Sequence, residues 1–474
     1  MPRSVVLRSC LSSHPNCAVS FLLFPSCFIH TFGTPAHFHF FSTPVSMQTA
    51  PTRRVIHLCQ ESATIQWPSG QPGGAVVLLS GRAELHRSAL TRNQRYTFPA
   101  EACIVIEAYA DAILQVEGSA TVAQAPLNGT LDEIHALLDT ARADATLAIQ
   151  ERATTTLSSS EELKESWQGP RVLIVGENQW ERELVARSLL NLAVRRDSPY
   201  GIAFVDVDVA MPLVGCPGTV SAVFAEEPVV APEDFDVMMP LAFFHGTPSV
   251  TSVTRKRYLD LCVCVAQAAT SLGFANAKFE AGGLLIHTMS PATEIAHDLL
   301  SDLISIFAVT HVIVTGADYD LERFLVNAVL GRSVTFLRAA KMAGVTPPSA
   351  GAVAQRRQLQ LERYLFGTPR APRLPVRGVA RMSDLELMHA ETLQRLEWND
   401  VPGLSLASVV WADTTASAGE ANVAGFVVLL EVGREFVSFL APSGGELPKP
   451  FLIVSPSLQL PRELVMPLYA TESS

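Results

Sequence analysis

Arg171-Val172-Leu173-Ile174-Val175-Gly176-Glu177-Asn178-Gln179-Trp180-Glu181-Arg182-Glu183 is the stretch whose reading decides the fold. A short apolar run that ends in glycine reads as a buried parallel strand, and the polar residues behind it read as the entry to a helix. Further along the chain, a helix over 183–195, strands over 202–207 and 283–287, a helix over 294–307 and a strand over 311–314 alternate in the manner of βαβ units. The spacing therefore predicts an α/β domain with a parallel sheet over residues 169–370.

Upstream, the run pattern changes to short strands over 64–67, 75–80, 82–86, 95–98, 103–108 and 113–116. Pro68, Gly70, Pro72, Gly73 and Gly74 mark the turn between the first two, and the spacing suits a small antiparallel sandwich over 51–124. A helix and linker fill 125–168, where Thr130 and Glu133 form a capping box ahead of Ile134, Leu137, Leu138, Ala141, Ala145 and Ile149 at helical spacing. Asn128-Gly129-Thr130 has the form of a glycosylation acceptor and is read as a helix cap instead. Downstream, Pro369, Pro372 and Pro375 mark a boundary. Residues 371–474 beyond it, with strands over 422–431, 434–440 and 451–454, read as a mainly β domain.

The composition sets limits on function. Of 474 residues, 48% are hydrophobic and 17% charged, so the chain can bury large cores and is no disordered polymer. A net charge of −11 removes any global attraction for nucleic acid, and RNA contact is expected to be indirect or weak. Eight irregularly spaced cysteines make no disulfide framework and fit a reducing compartment. Cys262 and Cys264 read as buried hydrophobes, and no metal site is expected. No apolar run reaches the roughly 18 residues of a membrane span. Residues 1–50 lack periodicity, carry only Arg3 and Arg8 as charges and are interrupted by Pro25. They are expected to be a disordered tail or an over-extended start, with Met47 as the true beginning.

Chemistry is expected where the apolar strand meets the helix, since backbone amides at a helix N-terminus cradle phosphate. Counted from Gly176, the pattern G-x-x-x-x-G-K-[ST] places Glu181 at the second glycine, Arg182 at the lysine and Glu183 at the hydroxyl residue. On the residues alone this is an ordinary strand-to-helix turn. Asp206-Val207-Asp208 closes the next apolar strand, where a carboxylate can hold Mg²⁺, accept a hydroxyl proton or simply anchor a loop. His287 reads as a packed core histidine with no acid beside it.

Taken in order, these segments resemble the RNA 5'-hydroxyl kinase family of the pre-mRNA cleavage and polyadenylation machinery. The likeness runs through Gly169-Pro170-Arg171-Val172, the strand to Gly176, Leu189-Leu190-Asn191-Leu192-Ala193-Val194-Arg195, Val205 to Asp208 and Cys216-Pro217-Gly218-Thr219. It extends to Leu78-Leu79-Ser80-Gly81-Arg82-Ala83-Glu84 with Tyr96-Thr97-Phe98, to Pro240-Leu241 with Gly246, and to Glu362-Arg363-Tyr364-Leu365-Phe366-Gly367. Asn422-Val423-Ala424-Gly425-Phe426, Leu440-Ala441-Pro442 and Leu447-Pro448 complete it, so the likeness covers residues 54–456. The resemblance implies a central P-loop NTPase-like parallel sheet with helices, flanked by an N-terminal β-sandwich and a C-terminal mainly β domain. It also implies transfer of the γ-phosphate of ATP to an RNA 5'-hydroxyl, partnership with other subunits of the cleavage and polyadenylation complex, and a nuclear location.

The departures point the other way. The family's D-x-D-x-G-Q reads Asp206-Val207-Asp208-Val209-Ala210-Met211, which keeps Asp208 as the candidate base. Its T-x-G-W reads Thr288-Met289-Ser290-Pro291, so the tryptophan that would clasp the RNA end is missing. The candidate nucleotide loop is Gly176, Glu177, Asn178, Gln179, Trp180, Glu181, Arg182 and Glu183, with lid arginines at Arg356 and Arg357 and a further arginine at Arg338. Glu177, Glu181 and Glu183 would face a triphosphate, at a cost of roughly 1 to 4 kcal/mol for each like-charge contact near 4 Å. ATP and Mg²⁺ are accordingly expected to be absent or weakly held. The expectation is a non-catalytic scaffold subunit of the 3'-end complex. The alternatives are an active polynucleotide 5'-hydroxyl kinase using Asp208, or a paralogue acting on rRNA or tRNA.

Overall fold

A computed structural model describes residues 52–68, 70–155, 168–196, 198–229, 235, 240–290, 294–368 and 371–469. The readings made for residues 1–50 and Pro291 lie outside the described residues.

The central domain is built on seven strands in the order Leu241–Phe244, Thr219–Ala225, Ile202–Asp206, Leu284–His287, Arg171–Val175, His311–Thr315, Thr335–Ala339. Arg171–Val175 lies at the interior of the sheet, parallel to both neighbours, so its side chains are covered on two faces and its apolar run is explained. The expectation of a parallel sheet holds for five strands only. Thr219–Ala225 and Leu241–Phe244 add an antiparallel edge, because the chain after Asp206 folds straight back without a crossover helix. Helices Arg255–Phe274, Glu294–Ile306 and Tyr319–Ala328 cover one face, over a core that includes Leu173, Val205, Ile286, Leu300 and Val312. Helices Thr130–Thr155 and Gln179–Ala193 cover the other, over Leu138, Ile174, Leu190, Phe204 and Ile313. Cys262 and Cys264 are both buried in the first of these cores.

The N-terminal domain pairs a four-stranded with a five-stranded sheet. Two of its strands, Arg53–Leu58 and Thr121–Pro126, escaped the sequence reading, because both run at sheet edges, where the first buries only Ile56 and Leu58 and the second buries no residue. The strand expected over 82–86 shrinks to Glu84–Leu85. The capping box expected at Thr130 and Glu133 is not the cap that forms. Instead the Asn128 side chain accepts from the Thr130 amide at 3.0 Å, and the Asp132 and Glu133 amides donate to Gly129 O.

The C-terminal domain is a six-stranded sheet in the order Val376–Arg381, Phe436–Ala441, Val423–Val432, Ser405–Val410, Phe451–Gln459, Glu386–His389. It meets the central domain through Phe244, whose ring lies edge-on to Phe426 at 5.3 Å, and through Arg257, which donates to Phe244 O at 2.7 Å and to Gly419 O at 3.3 Å. Gly246 is the tightest point of this joint. Its φ is +86°, and a Cβ there would lie 2.2 Å from Ala390 Cβ across the interface. Gly246→Val should therefore lower stability by about 3 kcal/mol, combining left-handed strain with overpacking. A lowered thermal midpoint checks this, whereas an unchanged midpoint would mean that the two domains separate freely at that contact.

Candidate functional site

The C-terminal ends of the central strands meet the start of the helix Gln179–Ala193, here called the loop helix. This helix begins at the fourth position of the motif counted from Gly176, not at the seventh or eighth, so the sequence expectation of a start at 183 is displaced by four residues. The cause is local. Asn178 caps the helix, its side chain accepting from Trp180 N at 3.1 Å, and Arg182 N already donates to Asn178 O. None of the residues 179–183 is a glycine that would resist helical winding. Gly176 itself is required, because a Cβ there would fall 2.1 Å from Thr315 Oγ1.

Arg182 turns inward and is 0% exposed. Its guanidinium donates to Gly176 O, to Glu177 O at 3.1 Å, to Thr288 O at 3.0 Å and to Gln179 Oε1 at 2.8 Å, and it stands 3.8 Å from Asp208 Oδ2. Burial lowers its pKa to about 10, against the opposing pull of Asp208 and Asp206, so it stays charged at neutral pH.

The three glutamates do not converge on one point. Glu177 is exposed. Glu181 accepts from Met342 N at 3.1 Å. Glu183 is held between two arginines, with Arg187 Nε at 3.1 Å and Arg356 at 2.6 Å and 3.1 Å. Burial pulls the Glu183 carboxyl upward, but Arg356 and Arg187 outweigh it and hold the pKa at about 2. The expectation that all three carboxylates face a single ligand is thus not met, since each finds a different partner inside the protein or faces solvent.

Asp208 is fully buried, and both of its oxygens are engaged. Oδ1 accepts from Ala210 N at 2.9 Å and Met211 N at 3.1 Å, while Oδ2 accepts from Gln179 Nε2 at 2.8 Å. Asp206 serves the same loop, accepting from Leu213 N, from Val214 N at 3.1 Å and from Asp208 N at 3.1 Å. His287 Nδ1 lies 3.1 Å from Asp206 Oδ1. This corrects the reading of His287 as a histidine without an acid. The signal was present, since Asp206 ends a strand whose register partner in the parallel pair is His287.

The helix Ala350–Phe366, the junction helix, closes the site from above. Arg356 pairs with Glu183 and stacks over Trp180 at 5.3 Å, Arg357 donates to Ala210 O at 2.8 Å, and Gln360 donates to Pro212 O. Arg338 lies apart, forming a two-pronged pair with Glu322 over the Tyr319 ring. Thr288 and Ser290 serve the backbone, donating to Ile174 O at 2.7 Å and Glu177 O at 3.1 Å. The geometry therefore brings together Gly176, the Glu177 carbonyl, Gln179, Arg182, Glu183, Asp208, Arg356 and Arg357, and it leaves the Glu177 side chain and Arg338 outside. Sequence reasoning overlooked Arg187, which meets Glu183 one helical turn away, and Gln360, whose partner Pro212 is 148 positions distant, and it quoted Thr288 without foreseeing that its carbonyl receives Arg182.

The Glu183 clamp carries a pH signature. A carboxylate held at about 2 against an ordinary value of 4.5 stabilises the fold above pH 4.5 and loses that contribution as the pH falls toward 2. Glu183→Gln should cost about 3 kcal/mol at pH 7, with the gap to the parent protein narrowing between pH 4.5 and 2. Thermal midpoints recorded across that range check it, and a gap that does not change with pH would contradict it.

Comparison with known proteins then shows what this chain resembles. Residues 176–367 match the family model of the mRNA cleavage and polyadenylation factor CLP1 P-loop. The polyribonucleotide 5'-hydroxyl-kinase Clp1 of Homo sapiens is 27% identical over 412 residues, covering 80% of this chain and 89% of that protein. The CLP1 homolog of Arabidopsis thaliana is 24% identical over 405 residues, covering 79% and 87%. Among solved structures, a complex of Clp1p with Pcf11p superposes with a TM-score of 0.71 at 17% identity, over 87% of this chain and 100% of that one. A second, described for an extended interface between Pcf11p and Clp1p and for ATP loss in a glycine-to-arginine point mutant, gives 0.71 at 16% identity, covering 86% and 99%. The solved structures share the fold, the central domain matches the CLP1 P-loop family model, and proteins that carry the Clp1 name resemble this chain over about four-fifths of its length.

Proposed function

We propose that this chain is a non-catalytic, kinase-like scaffold subunit of the nuclear mRNA 3'-end cleavage and polyadenylation complex, docking a Pcf11-type subunit and meeting RNA weakly or only through its partners. The observation that carries the reading is the inward-turned Arg182. A phosphate loop works by aiming backbone N–H donors at an anion. Here the corresponding space is lined by the acceptors Gly176 O, Glu177 O, Thr288 O and Gln179 Oε1, and a guanidinium fills it. Mg-ATP does not fit these residues. Driving Arg182 out would leave Gly176 O, Thr288 O and Gln179 Oε1 without donors, at about 1–3 kcal/mol each, and would bring phosphates against Asp208 and the clamped Glu183. Asp208 is likewise unsuited to act as base, since its oxygens already accept three hydrogen bonds and the group has no exposure.

The relatives support the complex in which this role is played. The human protein is named a polyribonucleotide 5'-hydroxyl kinase, and the solved neighbours are bound to Pcf11p. In the second of those neighbours a glycine-to-arginine change accompanies loss of ATP, in line with the view that an arginine side chain and a nucleotide compete for the same space.

Two measurements test the reading. Calorimetric titration with Mg-ATP should give no heat up to millimolar ligand, and no labelled phosphate should pass to 5'-hydroxyl RNA. Transfer that disappears in Asp208→Asn would establish the kinase reading in its place. A tagged copy recovered from nuclear extract should bring cleavage and polyadenylation factors with it, and recovery of none of them would defeat the scaffold role.

A further inference from the structure

We infer that the loop 176–183 is a guanidinium-binding cradle of inverted polarity, whose resident ligand is the chain's own Arg182, and that this internal ligand fastens the three domains together. The inference rests on the absence of bound nucleotide proposed above and gives the site a positive task.

The chemistry of the lining decides what the cradle can hold. Four oxygens from three separate segments point at one group: Gly176 O and Glu177 O from the strand-to-helix turn, Gln179 Oε1 from the loop helix and Thr288 O from the end of the neighbouring strand. Asp208 Oδ2 adds a negative charge 3.8 Å away. An acceptor-only lining with one carboxylate suits a planar cation with several donors, which guanidinium supplies in a fixed fork and a lysine ammonium does not. An anion there would meet lone pairs on every side.

The position of the cradle extends its effect beyond the loop. Gln179 bridges Arg182 and Asp208, and Asp208 fixes the amides of Ala210 and Met211. The carbonyls of Ala210 and Pro212 in that same loop receive Arg357 and Gln360 of the junction helix. One turn further along the loop helix, Glu183 receives Arg356. The junction helix in turn touches both flanking domains. At its N-terminus Ser349 Oγ donates to Glu101 Oε2 at 2.8 Å, and near its C-terminus the Tyr364 hydroxyl accepts from Phe426 N at 2.8 Å. Just ahead of it, Thr346 Oγ1 donates to Gln66 Oε1 at 2.8 Å, and Trp180 beneath Arg356 packs in one cluster with Cys103 of the N-terminal domain. A continuous set of contacts thus runs from the cradle to all three domains with no external ligand in it.

Chemical rescue tests this. Arg182→Ala should melt about 5–10 °C below the parent protein, as expected when a buried charged hydrogen-bonding group is lost. Guanidinium or methylguanidinium at low millimolar concentration should restore much of that loss in a saturable manner, while sodium at equal ionic strength and Mg-ATP restore none. The same additions should not raise the midpoint of the parent protein. An Arg182→Ala protein as stable as the parent, or one that melts low and is not rescued by guanidinium, overturns the cradle. Rescue by Mg-ATP overturns its inverted polarity. Should Arg182→Ala fail to fold, Arg182→Lys decides the matter: the charge survives but the fork is lost, so a midpoint several degrees lower is expected, and one equal to the parent's overturns the inference. Copurification with cleavage factors is scored separately, so failure here leaves the scaffold role untouched, and failure there leaves the cradle untouched.

Discussion

A single buried guanidinium organises the centre of this molecule. Arg182 has no exposure, yet it carries a charge, and burying a charge costs several kcal/mol unless every donor finds an acceptor. The turn Gly176–Asn178, the position of Thr288 at the end of a strand and the side chains of Gln179 and Asp208 are all arranged around that requirement. Gly176 is the residue that makes the arrangement possible, since a side chain there would collide with Thr315 and push the loop away from the sheet.

Around this centre the electrostatics are settled internally. Glu183 lies between Arg187 and Arg356, Glu181 is bound to a backbone amide of the segment leading to the junction helix, and Asp206 gathers the amides of its own loop together with His287. Ionisable groups this dense at the C-terminal edge of a parallel sheet mark the place where related folds hold their ligands. Here the partners of those groups are protein groups. At the turn where an NTPase fold would cradle a phosphate, Arg182 joins the loop helix to Gly176 O and Thr288 O of two neighbouring strands' ends.

The likeness to Clp1 relatives across about four-fifths of the chain, at roughly a quarter identity, fits that account. Apolar faces, strand ends and interdomain joints such as Gly246 against Ala390 constrain the fold throughout its length. Glu181 and Glu183 stand where the phosphate-loop pattern has glycine and a hydroxyl residue, and each is held by a protein partner, Met342 N and the pair Arg187 and Arg356.

The sequence by itself determined the three-domain order, the interior strand Arg171–Val175 and most of the strands with apolar faces, because burial on one or both faces leaves a periodicity that a linear reading detects. It did not reveal the edge strands Arg53–Leu58 and Thr121–Pro126, which between them bury only Ile56 and Leu58, or the antiparallel edge of the central sheet, whose register depends on a chain reversal after Asp206. It brought the loop residues, Asp208, Arg356 and Arg357 to attention, but it assigned the three glutamates to a common ligand and His287 to a site without an acid. Only the tertiary structure decided where those charges point. Arg182 meets Thr288 across 106 positions of sequence, and Glu183 meets Arg356 across 173. A side chain's direction is fixed by whichever distant group offers the better hydrogen bond, and in this protein that choice seats Arg182 among the carbonyls of Gly176, Glu177 and Thr288.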